Sequence, residues 1–244
     1  MRAMPPDVER LTAPNPSPMT LEGTNTYVVG RDPAVVIDPG PNDEGHIAAI
    51  RRAAEARGGI GPVLLTHDDA DHLDGVEPLG VEPTRPSDGD TVAGLTAIAT
   101  PGHAEEHLCF LLPDGNGRFA CFSGDLILGE GSTIVGPRRF GGSLADYMDS
   151  LRRLQGLELT VLYPGHGPEV RDPQAKIAEY LAHRREREDR LVAALDRGER
   201  SREALLAEVW DDVPEDLRGA AAIAMEAHLE KLEDEGRLPT DLRD

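Results

Sequence analysis

Residues 66–72 read Thr66-His67-Asp68-Asp69-Ala70-Asp71-His72 and follow directly on an apolar run that ends at Leu65. Five of these side chains can bind a metal ion. Carboxylates this close together repel one another unless a cation lies among them. Imidazole and carboxylate together suit zinc, iron, manganese or a related divalent ion. Taken alone, the segment is also compatible with an acidic surface loop.

Three further segments repeat the same construction, in which an apolar run is followed by a tight turn that carries a ligand-type residue. They are Ala99-Thr100-Pro101-Gly102-His103, Phe122-Ser123-Gly124-Asp125 and Leu162-Tyr163-Pro164-Gly165-His166-Gly167. Glycine and proline beside each ligand let the backbone turn sharply. Four strand ends that converge would supply enough ligands for two metal ions. The candidates are His67, Asp69, Asp71, His72, His103, Asp125 and His166.

The first two thirds of the chain alternate short apolar or β-branched runs with turns, which predicts a sheet-rich core. Seven runs are strand-like: 27–29, 34–37, 63–66, 95–100, 107–112, 118–122 and 159–163. Two helices are predicted between them. One covers 43–57 with Asn42 as its cap, and the other covers 144–155 with Ser143 and Asp146 in capping-box spacing.

Two cysteines are too few for a disulfide framework. The turn Asp114-Gly115-Asn116-Gly117 separates two apolar runs, so we expect Cys109 and Cys121 in neighbouring strands of a hairpin. Buried free thiols are the expected state. This cysteine usage favours a reduced, cytoplasmic setting.

The composition changes after residue 172, where helix formers replace glycine, proline and strand signals. We therefore predict two domains: a metal-binding domain over 1–172 and a helical, winged-helix-like module over 173–244. Helices are expected over 174–196, after Ser201, and from Pro214 to just before Gly236. The last of these carries mostly acidic charges, so a DNA-reading role is not expected.

The charge balance restricts the partners. The 244 residues include 25 Lys plus Arg and 45 Asp plus Glu, a formal net charge of −20. A polyanion or an anionic membrane would be repelled, which makes nucleic acid an unfavoured partner without excluding it. No apolar run is long enough for a membrane span, and the N-terminal stretch 1–18 has no apolar segment typical of a signal peptide. The oligomeric state is left open.

The ordered motifs resemble the metallo-β-lactamase superfamily of hydrolases. The resemblance extends to residues 20–29, 36–40, 122–132, 162–168 and 229–236, which look like the branch that contains β-lactamase-like protein 2. It implies an αββα sandwich with the metal ions at one edge of its two sheets, followed by a C-terminal helical module.

The same resemblance implies roles for individual residues. His67 and His103 match ligands of a first metal site, Asp71, His72 and His166 match the second, and Asp125 matches the carboxylate that bridges both. Asp71 is also the predicted catalytic residue. One or two Zn²⁺ ions are expected, with manganese or iron as alternatives.

Two departures from the family pattern affect these expectations. The family motif is H-x-H-x-D-H, whereas this chain has Asp69 where the second histidine is expected. An anion there makes the first site harder and raises the pKa of a bound water, and the shorter side chain can fail to reach the metal. The interval 73–102 is also short, and it lacks room for a strand and helix that the family usually carries before the turn at Asp88-Gly89-Asp90.

The remaining histidines are expected to be surface or packing residues: His46, His183 and His228. His107 lies four residues after His103 and is a candidate for supporting the site from behind.

The leading functional hypothesis is a metallohydrolase in which a metal-bound hydroxide attacks a small ester, thioester or related substrate. An endoribonuclease acting on single-stranded RNA is the first alternative, which the branch resemblance suggests and the net charge disfavours. The second is a degenerate, non-catalytic metal-binding member, which Asp69 and the short interval suggest.

Overall fold

The computed structural model describes residues 7–242, and these form two five-stranded sheets stacked face to face with helices outside both. This arrangement confirms the predicted αββα sandwich. The expectation of no signal peptide rests partly on residues 1–6, which lie outside the described range. Within residues 7–242, no helix is both long and apolar enough to cross a membrane.

The first sheet has the order β1-β2-β3-β4-β5. It contains the strand that leads into residues 66–72, which we call the metal-type loop. Its strands are β1 (Val8–Thr12), β2 (Asn25–Val29), β3 (Ala34–Ile37), β4 (Ile60–Leu64) and β5 (Pro83–Thr84). The pairs β1–β2 and β2–β3 are antiparallel, whereas β3–β4 and β4–β5 are parallel.

Helix α1 (Glu44–Glu55) covers the outer face of this sheet. The prediction of Asn42 as its cap is wrong. Asp43 is the cap, and its Oδ1 accepts a hydrogen bond from the amide of His46 at 2.8 Å. A carboxylate satisfies that amide and also interacts favourably with the positive end of the helix dipole.

The second sheet has the order β10-β9-β8-β7-β6. Its strands are β6 (Thr91–Val92), β7 (Leu95–Ala99), β8 (Leu108–Pro113), β9 (Phe119–Gly124) and β10 (Leu159–Pro164). Only β9–β10 is parallel among the pairs of this sheet in residues 7–242. Helices α4 (Leu144–Gln155) and α5 (Pro173–Asp196) pack on its outer face. The side chain of Ser143 caps α4 by accepting from the amide of Asp146, as predicted.

The space between the sheets is filled by apolar side chains from both, and an aromatic group lies at its centre. The rings of Tyr27 and Phe122 are 5.2 Å apart, and those of Phe122 and Tyr163 are 5.1 Å apart. Burial of such large side chains is the main free-energy contribution that holds the sheets together. Cys109 and Cys121 lie in the adjacent strands β8 and β9 and are buried free thiols, which confirms that prediction.

Two short helices lie at the end of the metal-type loop and just after it: α2 (Ala70–Leu73) contains Asp71 and His72, and α3 (Val76–Leu79) follows. These, the two-residue strands β5 and β6, and strand β1 were not predicted. All are too short, or too weakly patterned, to give a periodic signal.

The C-terminal region is formed by the second half of α5 together with α6 (Arg202–Val209) and α7 (Arg218–Asp234). The expected helix start at Pro214 is wrong in detail, because a 3-10 turn over Glu215–Leu217 precedes the α-helix. Helix α5 contributes Ile177 and Tyr180 to the core of the sandwich, and Leu191 and Leu195 to the core of the C-terminal helices. Since α5 packs in both cores, the packing does not separate two domains at 172/173. That boundary stays a prediction.

Candidate metal centre

The four predicted ligand segments meet at one edge of the sandwich. Backbone hydrogen bonds join the strand ends across the two sheets. The amide of Leu108 donates to the carbonyl of Thr66 at 2.7 Å, and the amide of Asn25 donates to the carbonyl of Gly165 at 2.7 Å. The amide of Gly165 in turn donates to Gly124 at 2.9 Å. These bonds hold the turns after β4, β9 and β10 against one another, so their side chains converge.

One group of ligand atoms comprises His67, Asp69 and His103. The Oδ2 atom of Asp69 lies 3.4 Å from Nε2 of His67 and 3.5 Å from Nε2 of His103. The shorter side chain of aspartate therefore reaches the position where the family carries a histidine.

A second group comprises Asp71, His72 and His166. The Oδ2 atom of Asp71 lies 3.6 Å from Nε2 of His72 and 3.4 Å from Nε2 of His166. The carboxylate of Asp125 lies between the groups. Its oxygens are 3.5 Å from His72 Nε2, 3.2 Å from His166 Nε2 and 3.9 Å from His103 Nε2.

The spacing of these atoms fits a metal shell better than a set of hydrogen bonds. Hydrogen bonds between ring nitrogens and carboxylates are usually shorter, about 2.7–3.0 Å. Two ligands at tetrahedral positions, each about 2.0–2.1 Å from a zinc ion, are about 3.4 Å apart. All seven predicted residues take part in separations between 3.2 and 3.9 Å.

The orientation of His67 and His72 is set by Asp38. Its Oδ2 accepts from Nδ1 of His72 at 3.0 Å and from the hydroxyl of Thr66 at 2.7 Å. Since the Thr66 hydroxyl proton is used in this way, its oxygen accepts from Nδ1 of His67 at 3.0 Å. Both Nδ1 atoms carry their protons on this side, which leaves both Nε2 lone pairs directed into the cluster.

Carbonyl oxygens do the same for the other two histidines. Nδ1 of His103 donates to Ile134 at 2.9 Å, and Nδ1 of His166 lies 3.4 Å from the oxygen of Gly23. Buried Nε2 atoms of His67 and His72, and Oδ1 of Asp125, have no hydrogen-bond partner. Polar atoms left without partners at the centre of a ligand set are what a bound cation would satisfy. The residues present therefore fit a divalent metal.

Two close contacts fix the carboxylates. The hydroxyl of Thr24 donates to Oδ2 of Asp71 at 2.8 Å. Gly165 packs so closely on Asp125 that a Cβ atom there would lie 2.3 Å from Oδ1 of that carboxylate. Glycine is needed before His166 for this approach, in addition to its freedom in turns.

The electrostatics reflect three carboxylates facing four imidazoles. Burial by itself lowers the pKa of His72, but the carboxylates of Asp125 and Asp38 outweigh it and raise that pKa to about 10. Burial raises the pKa of Asp125, while His72 and His166 outweigh it and hold that pKa well below its ordinary value. Without a metal, protons would therefore supply the positive charge that the cluster needs.

His107 is buried directly behind the cluster. Its ring stacks on that of His67 at 5.3 Å, and its Nδ1 lies 2.9 Å from the hydroxyl of Thr100. Burial, followed by the nearby His67 and His103, holds the pKa of His107 well below its usual range. A neutral ring in this position packs on His67 without adding positive charge to the cluster.

The other histidines divide into two kinds. His46 and His228 are buried, and Nε2 of His46 lies 2.8 Å from the hydroxyl of Thr26, in agreement with the expected packing role. His183 instead lines a pocket. This pocket opens from the seven converging ligand-type side chains, which we call the metal-type cluster, towards the C-terminal helices.

This pocket was not predicted from the sequence. Its volume is about 420 Å³, and the cluster forms one wall of it. The opposite wall comes from α5 and the residues around α6 and α7. Apolar lining is contributed by Met19, Leu21, Trp210, Val213 and Leu217. No local pattern marks these residues, because the segments 19–21 and 210–217 are far apart in the chain and meet only in the fold. Asp38 was missed as well, although an aspartate directly after a buried strand was an available signal.

Comparisons with known proteins agree with this architecture. Residues 19–80 and 74–166 match the metallo-beta-lactamase superfamily, and residues 201–239 match the beta-lactamase associated winged helix domain. The chain is 37% identical over 212 residues to the lactamase-like protein adaB of Aspergillus niger, covering 78% of this chain and 64% of that relative's length.

Two further relatives align over most of this chain. A beta-lactamase-like protein 2 homolog of Caenorhabditis elegans is 33% identical, with 92% of this chain and 83% of the relative covered. An atrochrysone carboxyl ACP thioesterase of Aspergillus fumigatus is 34% identical, with 98% and 76% covered.

Solved structures share the fold. A metallo-beta-lactamase family protein from Thermus thermophilus superposes with a TM-score of 0.76 at 24% identity, covering 94% of both chains. A second protein, solved in a di-iron-bound form, superposes with a TM-score of 0.53 at 26% identity, covering 70% of this chain and 98% of its own. From the matched sequence models, the curated relatives and the sandwich itself, we conclude that the chain belongs to the metallo-beta-lactamase superfamily.

Proposed function

We propose that this protein is a metal-dependent hydrolase that cleaves a small thioester or ester. In this proposal His67, Asp69 and His103 would hold one divalent ion and Asp71, His72 and His166 a second, and the carboxylate of Asp125 lies between the two groups. The main support is the orientation of the four histidines, whose Nδ1 atoms face oxygen acceptors while their Nε2 atoms converge on three carboxylates.

Bound divalent ions would polarise the substrate carbonyl and activate a water molecule. The protein residues position the other groups. Thr24 holds Asp71 at the floor of the pocket through its hydroxyl, and Asp38 holds His72 from behind. The apolar side chains of Met19, Leu21 and Trp210 surround an acyl group and reduce the water around it.

A small substrate is supported by the pocket and by one relative. A cavity of about 420 Å³ with apolar lining is in the size range of small-molecule sites. The relative named as a thioesterase covers nearly the whole chain, which favours a thioester. The endoribonuclease alternative stays a prediction that the net charge of −20 disfavours.

The reach of Asp69 weakens the case for a degenerate member, because a carboxylate occupies the place of the missing histidine. Zinc stays the predicted ion, and manganese or iron fits the harder, carboxylate-richer first site. The cytoplasmic setting also stays a prediction.

The test compares Asp69 with its neighbour. Asp69→Ala should lower the metal content from about two ions to about one per chain and reduce kcat/KM on a short-chain acyl thioester by about 100-fold, since a metal contributes several kcal/mol to the transition state. Asp68→Ala is the matched control, because Asp68 is exposed and pairs with Arg85. Metal analysis measures the metal content, and a thioesterase assay measures kcat/KM. A labelled RNA oligonucleotide is assayed in parallel to test the endoribonuclease alternative.

Asp69→His gives a complementary readout, since an imidazole at that position should strengthen metal binding at the first site. A purified protein that binds no zinc, manganese or iron and hydrolyses none of the thioesters would contradict the proposal. Unchanged metal affinity in both Asp69 variants would remove Asp69 from the ligand set.

A further inference from the structure

The wall of the pocket that faces the metal-type cluster carries positive charge. His183, Arg184 and Arg187 lie on one face of α5, and all three line the same pocket as Asp71 and His166. Two of these three, the arginines, are buried. A buried guanidinium is uncommon unless it has a partner, so the contacts of each arginine are informative.

Arg187 has its partners within the protein. Its guanidinium donates to the carboxylate of Asp212 at 2.6 Å and to the carbonyl of Val209 at 2.5 Å. It also lies over the ring of Trp210 at 5.8 Å. This arginine therefore serves to join α5 to the segment after α6.

Arg184 differs, although it lies only one turn away on the same helix. It is 5% exposed, and within residues 7–242 no carboxylate oxygen lies within 4.0 Å of its guanidinium nitrogens. Its Nη2 donates to the carbonyl of Thr133, and its guanidinium carbon lies 5.2 Å from the ring of Tyr147. Its Nε has no hydrogen-bond partner, and neither has Nδ1 of the neighbouring His183.

An unpaired buried cation is costly, because its hydration is lost and nothing neutral replaces it fully. An arginine keeps its charge at any physiological pH, so the cost cannot be removed by loss of a proton. The planar guanidinium presents a fork of donors that matches the two oxygens of a carboxylate or phosphate. A ligand carrying such a group would supply the missing counter-charge.

We propose that Arg184 forms an anion subsite, so that the substrate carries a carboxylate or phosphate group away from its scissile bond. The reacting end of such a substrate would lie at the metal-type cluster, and that assignment rests on the proposed hydrolase function. The apolar residues between the two walls would contact the intervening chain. Leu21 and Trp210 are two of the apolar residues that line the pocket.

A purely structural role for Arg184 makes a different prediction. Thr133 precedes Ile134, whose carbonyl orients His103, so in a purely structural role Arg184 would act through the loop behind that histidine. Loss of this support would weaken every substrate equally. Loss of an anion subsite would weaken only charged ligands.

The experiment uses matched pairs of ligands that differ in charge. S-(4-carboxybutyl)-N-acetylcysteamine and S-pentyl-N-acetylcysteamine are thioethers that cannot be hydrolysed, and their dissociation constants are measured by calorimetry. The glutaryl and pentanoyl thioesters of N-acetylcysteamine are assayed for kcat/KM. S-pentyl thioethers of 4′-phosphopantetheine and of pantetheine, also measured by calorimetry, form the second arm, which separates a phosphate source from a carboxylate source.

In either the carboxylate pair or the phosphate pair, wild-type protein should bind the charged ligand at least about tenfold more tightly than the uncharged one. This is the effect of one charge-assisted contact. Arg184→Met should remove that preference while the uncharged ligand changes by less than about threefold. Arg185→Met is the control, because Arg185 is exposed on the same helix. Arg184→Lys, which keeps the charge, should restore part of the preference.

Equal affinity for charged and uncharged ligands in the wild-type protein would overturn the subsite, even if Arg184→Met did not fold. An equal loss for both members of a pair in Arg184→Met would also overturn it and assign Arg184 to loop support. Charge-selective binding of the thioethers without turnover of any thioester would uphold the subsite and contradict the hydrolase proposal.

Discussion

The two walls of the pocket are built in different ways. On the sandwich side, side chains of opposite charge are packed together and held by backbone and side-chain hydrogen bonds, as with Asp38 and His72 at 3.0 Å. On the helical side, buried basic side chains lie among apolar residues, and several of their nitrogen atoms have no partner. The residues of the first wall fit a cation, whereas on the second wall Arg184 has no carboxylate partner within residues 7–242.

The difference shows how a site can be divided between two parts of a fold. Strand ends are rigid because both sheets hold them, which suits the fixed geometry of a metal site. Helices that pack through apolar faces tolerate variation in the residues that line a cavity. We therefore expect substitutions on the sandwich wall to affect all substrates, and those on the helical wall to affect selectivity or stability.

The largest effect is expected for Asp125, which contacts histidines of both groups. Asp125→Asn removes a charge without changing the shape, and should reduce kcat/KM by about 10³-fold, together with the metal content. Asp146→Asn, on the exposed face of α4, is the control. A loss smaller than about tenfold would show that the carboxylate does not bridge the two groups.

A smaller effect is expected for Asp38, which touches the predicted ligand His72 rather than the metal. Asp38→Asn should weaken metal binding by about 10–100-fold, the usual effect of losing an acceptor behind a histidine ligand. The measurement is a competition titration against a metal-binding dye, and Asp74→Asn is an exposed control. Unchanged affinity would mean that Thr66 and the backbone alone orient these rings.

The helical wall offers a prediction about pH, because His228 is buried beside Trp210 with both ring nitrogens unpartnered. Burial, followed by the charges of Arg184 and Lys231, lowers the pKa of His228 to about 3. The unfolded chain, with a histidine pKa of about 6.5, binds this proton more readily. The free energy of unfolding therefore keeps its full value above about pH 6.5 and decreases as the pH falls towards 3.

Between pH 7 and pH 5 this difference amounts to about 2 kcal/mol of unfolding free energy. His228→Leu should remove it, so the wild type should lose about 2 kcal/mol more than the variant over this range. Urea unfolding at the two pH values measures the difference. Parallel losses in both proteins would show that His228 becomes solvated or protonated in the native state.

Local sequence patterns predict all seven ligand-type residues of the sandwich wall, but not Asp38, which lies behind His72. Each of its ligand segments couples a strand to a turn within a few residues, so local patterns were enough to find them. Local patterns also predict Asn42 rather than Asp43 as the cap of α1, because both residue types favour the cap position and the exact first residue of a helix is not marked by sequence. These patterns do not predict β1, whose residues are half-buried or exposed and do not alternate regularly.

By itself, the sequence determined the set of candidate ligands and the acidic balance that disfavours polyanions, because both follow from residue types and short spacings, and it predicted the fold class through the resemblance of its motifs to a known family. Only the tertiary structure decided whether Asp69 reaches the cluster, which atom of each histidine faces it, and that Arg184 lies in the same pocket without a carboxylate partner. These depend on distances between segments far apart in the chain, which packing of the two sheets and the C-terminal helices sets.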